Sequence, residues 1–444
     1  MRQADTIYAL ASGFARGGVQ VVRISGPSAG HTLKTLTQKP LPPHRMASKR
    51  NLLDPRDGTI LDSALCLFFE QGKSFTGEQT VEFHLHGGRA VLSGVLSALA
   101  SLPSLRPAEP GEFTRQAFTN GRIDLAEAEG IGDLVAAETV AQRDQALRQM
   151  AGSLSARIET WRGDLIRAMA LVEATIDFSD EDLPDGVGDQ ATAILRVLEN
   201  EIDDALANAD RGERIRDGIR VAIVGRPNVG KSSLLNALAG RDAAIVSDVA
   251  GTTRDLIEVA LDLKGIPVVL TDTAGLREAQ DKVEEEGVRR AQNAMSAADI
   301  VLFVSDFNPL GAEEDKSLWE TVDELGSQIL RVRSKSDLQQ GATSTEWQTV
   351  SSATGQGMDE LVGHLSGAAE SLVSGETDPL ITRARHRDAL ETCVDAIRRA
   401  SNAELSELAA EDLRIATRAL GRVTGRVDVE DLLDVIFRDF CIGK

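Results

Sequence analysis

Residues Gly225-Arg226-Pro227-Asn228-Val229-Gly230-Lys231-Ser232 fit the pattern GxxxxGK[ST]. The apolar run Val221–Val224 reads as a short buried strand before them, and Lys231–Ala239 as a helix after them. Glycines let such a loop bend until its backbone N–H groups converge on one point. The helix that begins there adds its dipole and its unpaired N–H groups, so the loop suits a phosphate. Lys231 is placed to reach β- and γ-phosphates, and the Ser232 hydroxyl to ligate Mg2+. Val229, Gly230 and Ser233 complete the expected contact set.

Reading forward from the loop identifies the nucleotide. Asp272-Thr273-Ala274-Gly275 follows the expected strand Val268–Leu270. An Asp there can hold Mg2+ through water, and Gly275 can give an N–H to a γ-phosphate. Gly251-Thr252-Thr253-Arg254-Asp255 lies before it, and a threonine in such a loop can close over Mg2+ when a γ-phosphate is present. Ser334-Lys335-Ser336-Asp337 follows the expected strand Ile329–Val332. Asp337 can accept two N–H bonds from guanine while Lys335 packs on the base. Ser351-Ser352-Ala353, after another strand, suits the guanine O6. Each tetrapeptide alone is weak, and all of them in this order point to guanine over adenine. Ser334 stands where this motif usually carries Asn, whose side chain braces the phosphate loop. The shorter residue implies weaker nucleotide binding.

Two positions bear on hydrolysis. Leu276 occupies the place where a Ras-like switch has the Gln that orients the attacking water. Either hydrolysis is very slow or another group aligns the water. Asn228 offers a carboxamide oxygen that can ligate a monovalent cation beside the phosphates. The backbone of Ser247-Asp248-Val249-Ala250 can complete that site through the Ser247 and Val249 carbonyls. A carboxylate from Glu284, Glu285 or Glu286 can replace the Gln. An acidic first helical turn accounts for at least two of these three.

Working outward, residues 218–370 alternate strand and helix signals, with Ile300–Val304 a further strand. That order implies a parallel sheet with helices on both faces. Residues 1–120 are rich in Gly and Pro. Gly18–Ile24, Ala64–Phe69 and Thr80–Leu85 read as strands and Ala90–Leu102 as a helix, with loops at 40–43 and 103–110. From 122 to 210 the signal is helical. Trp161, Leu165, Ala168, Met169 and Val172 form one stripe, and Leu195, Leu198, Ile202, Ala205, Leu206 and Ala209 another. Beyond Pro379 helices return, with stripes Leu405, Leu408, Ala409, Leu413, Ala416, Leu420 and Leu432, Leu433, Ile436, Phe437, Phe440. The expected architecture is a multidomain α/β and α chain. An N-terminal α+β domain spans 1–120, and a Ras-like P-loop domain at 213–375 is inserted into a discontinuous helical domain formed by 121–212 and 376–444.

Composition narrows the function classes. The chain has 444 residues with 48 basic and 69 acidic side chains, a net charge of −21. That excludes nucleic-acid binding through overall charge but leaves room for a local basic patch. Three cysteines, Cys66, Cys393 and Cys441, are too few and too scattered for a disulfide framework or a four-ligand zinc site. A reducing compartment is expected. No apolar run is long enough for a membrane span, and the charged first 25 residues do not read as a signal peptide. His84 and His86 share one strand face without an evident third ligand, which favours structure over metal.

Further segments carry a resemblance. They are Asp5-Thr6-Ile7, Gly17-Gly18-Val19, Val22-Arg23-Ile24-Ser25-Gly26, Ser74-Phe75-Thr76-Gly77-Glu78, Val81-Glu82-Phe83-His84-Leu85-His86-Gly87-Gly88, the run 110–125 that opens Pro110-Gly111-Glu112-Phe113, and the closing Phe440-Cys441-Ile442-Gly443-Lys444. With the nucleotide motifs, the whole chain resembles the MnmE (TrmE) family of tRNA modification GTPases. The resemblance implies joint action with MnmG, a flavoprotein using FAD and NADH. The pair adds an aminomethyl or carboxymethylaminomethyl group to C5 of the wobble uridine of certain tRNAs. It implies a cytoplasmic homodimer that forms a heterotetramer or larger complex with MnmG. It also implies an N-terminal domain that dimerises and binds 5-formyl- or 5,10-methylene-tetrahydrofolate, and GTP hydrolysis activated by potassium-dependent dimerisation of G domains. By motif position, Asn228, Ser247, Val249 and Thr252 would hold K+, Ser232 and Thr253 would hold Mg2+, and Glu284 would orient the water. Arg23, Glu82, Arg122 and Lys444 would bind the folate, Arg122 standing where many members have Lys. Without the resemblance, Arg23 and Glu82 read as a surface ion pair. Cys441, between Phe440 and Ile442, is either a nucleophile or a buried structural thiol. The rival readings are a ribosome-assembly GTPase of the Era or EngA kind, and a folate-binding scaffold with a degenerate G domain.

Overall fold

The structure, a computed structural model, describes residues 5–13, 17–177, 187–241, 243–245, 258–272, 295–307, 312–324, 327–338, 346–427, 430–438, 440 and 442–443. They divide into two compact units, one of residues 1–132 with 420–444 and one of residues 133–419.

The first unit is built on a six-stranded sheet. Its elements are β1 (Thr6–Leu10), β2 (Val19–Ser25), α1 (Ala29–Thr37), β3 (Ser48–Leu53), β4 (Ile60–Phe69), β5 (Thr80–His86), α2 (Arg89–Ala100), β6 (Leu105–Pro107), α3 (Glu112–Thr119) and α4 (Leu125–Ala136), which continues into the second unit. The strand order is β3-β4-β5-β2-β1-β6. Neighbours are antiparallel except β1 and β6. The expected loop at 103–110 therefore contains a strand. Leu105 pairs with Thr6, and Pro107 is tolerated because β6 lies at the sheet edge. Alternation along β2 and β5 buries Val22, Ile24, Val81, Phe83 and Leu85 in one cluster with Leu33, Leu36, Val95 and Leu99 of the helices. Ile7, Ala9 and Phe113 form a smaller cluster.

In the second unit come α5 (Val140–Met150), α6 (Ser153–Asp177), α7 (Val187–Ala207), α8 (Ala209–Asp217), β7 (Ile219–Val224), α9 (Lys231–Ala239), β8 (Glu258–Leu263), β9 (Ile266–Asp272), β10 (Ile300–Ser305), α10 (Ala312–Asp323), β11 (Gln328–Arg333), β12 (Gln348–Thr349), α11 (Met358–Val373), α12 (Ala384–Ser401) and most of α13 (Ser406–Thr424). Helix α14 (Glu430–Arg438) belongs to the first unit, where Phe437 packs with Leu125 and Ala128. Helix α8 runs without a break across position 212, so the sheet opens at Ile219. Its order is β12-β11-β10-β7-β9-β8. Five strands are parallel, but β8 is antiparallel to β9, a departure from the all-parallel expectation. The cause is local. Lys264 (φ 54°) and Gly265 (φ 88°) make a two-residue turn, and so short a connection can only join antiparallel strands.

Both sheet faces are covered. Val221, Ile223, Leu302, Val304 and Val332 pack with Leu234 and Leu238 of α9 and Leu361 and Leu365 of α11. Ala222, Val224, Val301 and Phe303 pack on the other face with Val322 and Trp319 of α10. In the helical part Trp161 is buried and donates its Nε1–H to Glu201 Oε2 at 2.8 Å. Leu195, Leu198 and Ile202 of α7 are buried as the stripe predicts. Ala409, Leu413, Ala416 and Leu420 of α13 are buried, but Leu405 and Leu408 are exposed. Leu405 precedes the helix and Leu408 lies in its first turn.

Candidate active site

The phosphate loop starts where β7 ends beside β10. A Cβ at Gly225 would lie 2.1 Å from the Val304 carbonyl oxygen, so only glycine lets the loop leave the sheet there. Asn228 (φ 63°) and Gly230 (φ 101°) turn the backbone through left-handed conformations. Val229 anchors the loop in the core beneath. Lys231 is buried, and its ammonium donates to the carbonyls of Gly225 and Arg226, each at 2.7 Å. The charge that would meet phosphates is thus held over the loop. The Ser232 hydroxyl donates to Asp272 Oδ2 at 2.6 Å. Asp272 is buried at the end of β9. A hydroxyl and a carboxylate in contact at the foot of a phosphate loop are hard oxygen donors of the kind Mg2+ takes, so the residues fit that ion.

The base-recognition segment is tied directly to this loop. Ser334 is buried, and its hydroxyl bonds to the Val229 carbonyl, with the Ser305 carbonyl at 3.2 Å. The short side chain therefore reaches the phosphate loop that the usual Asn would brace. Lys335 (φ 56°) donates from Nζ to the Asn228 carbonyl at 2.6 Å and to Asp306 Oδ2 at 3.2 Å. Asp337 is exposed and accepts a hydrogen bond from the Ser351 hydroxyl at 2.6 Å. Ser336 donates its backbone N–H to the Val350 carbonyl at 3.1 Å. Ser352 and Ala353 follow in the turn after Ser351. The phosphate residues Asn228–Ser233 and the base residues Ser334–Asp337 and Ser351–Ala353 thus share one end of the parallel sheet.

The sequence reading missed a second layer behind the loop. Arg226 donates to Asp315 Oδ1 at 2.6 Å and to Asp306 Oδ1 at 3.1 Å, and its side chain is only 12% exposed. The Ser305 hydroxyl adds a bond to Asp315 Oδ2 at 2.6 Å. These partners lie 80 and 89 positions from Arg226, so no local pattern could reveal them. The only signal was a cation placed second in the motif.

Ser247, Asp248, Val249, Ala250, Gly251, Thr252, Thr253, Thr273, Ala274, Gly275, Glu284, Cys441 and Lys444 lie outside the described residues. In the first unit Arg23 and Glu82 face each other across β2 and β5, at 2.9 Å. Arg23 also lies 5.7 Å from the Phe113 ring centroid, and His84 Nε2 is 3.6 Å from Glu82. Arg122 is exposed beside the Gly77 turn. His86 pairs with Asp62 at 2.7 Å. Among the described residues no group of three or more His, Cys, Asp or Glu side chains could hold a metal ion. Cys66 and Cys393 are buried, which pushes their thiols up to about 11 and about 12 and leaves both unreactive at neutral pH. Among the described residues no helix is long and apolar enough to cross a membrane.

Two family models match the chain. The GTP-binding protein TrmE N-terminus matches residues 6–122, and the MnmE helical domain matches residues 125–441. A tRNA modification GTPase MnmE from Rhodospirillum rubrum is 51% identical over 457 residues, covering 99% of each chain. That from Parvibaculum lavamentivorans is 51% identical, covering 99% of this chain and 100% of its own. A solved structure of the G domain of the T. maritima FeoB iron transporter matches 35% of this chain and 99% of that one at 27% identity, with a TM-score of 0.27. Identity that is spread over the full length, and not confined to the nucleotide motifs, answers the question that the phosphate loop raised: the chain belongs to the MnmE family of tRNA modification GTPases.

Proposed function

We propose that this chain binds and hydrolyses GTP and couples the hydrolysis to modification of C5 of the wobble uridine of tRNA. The observation that carries the reading is the double clasp between base and phosphate segments: Ser334 on Val229 and Lys335 on Asn228. A guanine held by Asp337 thereby fixes the loop that grips the phosphates. Lys231 neutralises charge on the β- and γ-phosphates once it leaves the loop carbonyls it now holds. Ser232 and Asp272 are the residues that would hold Mg2+, directly and through water. The bound ion would supply charge stabilisation of the phosphates.

The finer reading follows from the family resemblance and this chain's residues. Asn228 is exposed on the loop, in position to offer its carboxamide to K+ together with Ser247, Val249 and Thr252. Leu276 cannot orient water, so Glu284 takes that task when two G domains meet. The partner is MnmG with its FAD and NADH. Arg23, Glu82, Arg122 and Lys444 receive the folate one-carbon donor, Cys441 is the candidate nucleophile, and residues 1–120 form the homodimer. The half-buried Arg23–Glu82 pair with Phe113 beside it offers charge and an aromatic face, as a pteridine requires.

Steady-state GTP hydrolysis in potassium and in sodium, at equal ionic strength, tests the reading. Potassium is expected to stimulate at least tenfold, and Asn228→Ala to abolish that stimulation while GTP still binds. Equal rates in the two salts would overturn the cation site.

A further inference from the structure

A second hollow lies on the sheet face opposite α9 and α11. It holds about 470 Å3, the scale of a small-ligand site. Its walls follow from strand alternation. Arg331 and Arg333 pair in register with Phe303 and Ser305, while Val332 between them faces the opposite core. The two guanidiniums therefore emerge on the Phe303 side. Arg331 lies 4.1 Å over the Trp319 ring. Arg333 lies 4.2 Å over the Trp347 ring and 5.4 Å from that of Phe307. Phe303 closes the floor, edge-on to Trp319 at 5.3 Å. Two of the chain's three tryptophans are thus half-exposed around one concavity.

The charges favour an anion. Arg333 donates to the Asp306 carbonyl at 3.2 Å and has no carboxylate within ion-pair distance among the described residues. The carboxylate that Arg331 meets, Glu346 at 3.1 Å, has a 71% exposed side chain at the rim. Asp306 and Asp315 also line the hollow, but both are held by Arg226, and Asp306 by Lys335 as well. Exposed Lys316 stands at the edge. In a chain of net charge −21 this is a local cationic spot with flat faces.

We propose that this hollow receives an unpaired nucleotide, its base stacked on the tryptophan and guanidinium planes and its phosphate paired with Arg333 and Arg331. Aromatic rings and guanidinium planes are how proteins hold bases that have left a helix, and Arg is the residue suited to phosphate. A protein partner is less favoured, because Arg331, Arg333, Lys316 and Glu346 put charge around the hollow. The inference rests on the tRNA-modifying reading, which supplies such a nucleotide from a tRNA loop. A free mononucleotide offers the same chemistry. The Asp306–Asp315 wall also holds Arg226 of the phosphate loop, so an occupant would press on the mount of the GTP site.

The test uses the full chain, an unmodified tRNA transcript and uridine monophosphate, with tryptophan fluorescence and anisotropy as readouts. The Arg331→Gln/Arg333→Gln double variant is expected to lose at least tenfold in tRNA affinity while GTP affinity stays unchanged. Lys316→Glu, on an exposed side chain, is expected to lose about threefold. Tight binding of the mononucleotide, lost in the same variants, would support the site and identify its source as free nucleotide. Wild-type tRNA affinity in both variants would overturn the inference and leave the tRNA reading standing. Loss of a co-purifying protein with unchanged tRNA affinity would overturn it in favour of a protein surface. Absence of wobble modification in cells lacking this chain's activity is the separate measurement for the underlying reading. Normal modification there would remove both.

Discussion

Two side chains show how much rests on single hydrogen bonds. Ser334 spends its one hydroxyl proton on the phosphate loop, at a buried position. Removing it leaves the Val229 carbonyl without that donor, at a cost of about 1 kcal/mol. Ser334→Ala is therefore expected to weaken GTP binding about fivefold in a fluorescent-nucleotide titration, and unchanged affinity would show that the brace is not felt. In the first unit, burial works to raise the Asp62 carboxyl. The His86 backbone and ring bonds and the Ser63 N–H outweigh it and hold the group below its usual value. A depressed carboxylate contributes stability that is present above its unfolded pKa of about 3.9 and is lost as pH falls through the folded value. Asp62→Asn is accordingly expected to lower the stability of this unit by about 1 to 2 kcal/mol at pH 7. Urea midpoints should show that deficit shrinking below about pH 4. A deficit equally large at pH 3 would contradict it.

Elements differ in how legible they were, and the differences have causes. Helix α9 matches its sequence reading residue for residue, because the glycine loop and Gly240 punctuate both ends. Strands β2, β5 and β10 fall within one or two residues of expectation, being apolar runs buried on at least one face. Strand β3 was invisible, since the first four residues of SKRNLL are all polar or charged and the strand lies at a sheet edge. The β8 direction was hidden until the Lys264–Gly265 turn was seen. At the site, every motif residue within the described part of the chain was legible. Arg226, Asp306 and Asp315 were not, because their contacts are set by the sheet and not by spacing. Gly225 shows the stricter rule at such junctions. Gly225→Ala would force the loop off β10, costing about 1 to 3 kcal/mol as overpacking does. GTP affinity should fall more than tenfold. Gly163→Ala is the control, since nothing lies within 4 Å of its added Cβ in the middle of α6. There alanine is expected to raise the melting temperature, by about 0.5 to 1 kcal/mol of helix propensity. Equal behaviour of the two variants would refute the steric account.

For the whole molecule the informative feature is where the division falls. The sequence reading inserts a nucleotide domain into a helical host, and the sheet and the helical residues 133–217 fall in one compact unit. Specific bonds explain this. The Ala141 N–H at the start of α5 donates to the Gly265 carbonyl at 3.0 Å, in the turn that joins β8 and β9. Gln142, which closes the capping box with Thr139, also donates to the Arg216 carbonyl at 3.0 Å. Arg214 of α8 pairs with Asp299 at 2.7 Å, just before β10. Strand β9 thus carries Asp272 of the nucleotide site at one end and meets the turn held by α5 at the other. Calorimetry is therefore expected to resolve two transitions, with the helical residues melting together with the sheet. A ligand that binds only the folded state stabilises it by about 2.7 kcal/mol at a hundred times its Kd. GTP with Mg2+ should raise the transition of the unit spanning 133–419 and leave the other in place. Tryptophan fluorescence assigns the transitions, because Trp161, Trp319 and Trp347 all lie in that unit. A nucleotide-induced shift of the tryptophan-silent transition would show that the two units unfold as one. A third transition, with Trp161 melting apart from Trp319 and Trp347, would show that the bonds from α5 and α8 do not hold the helical part to the sheet.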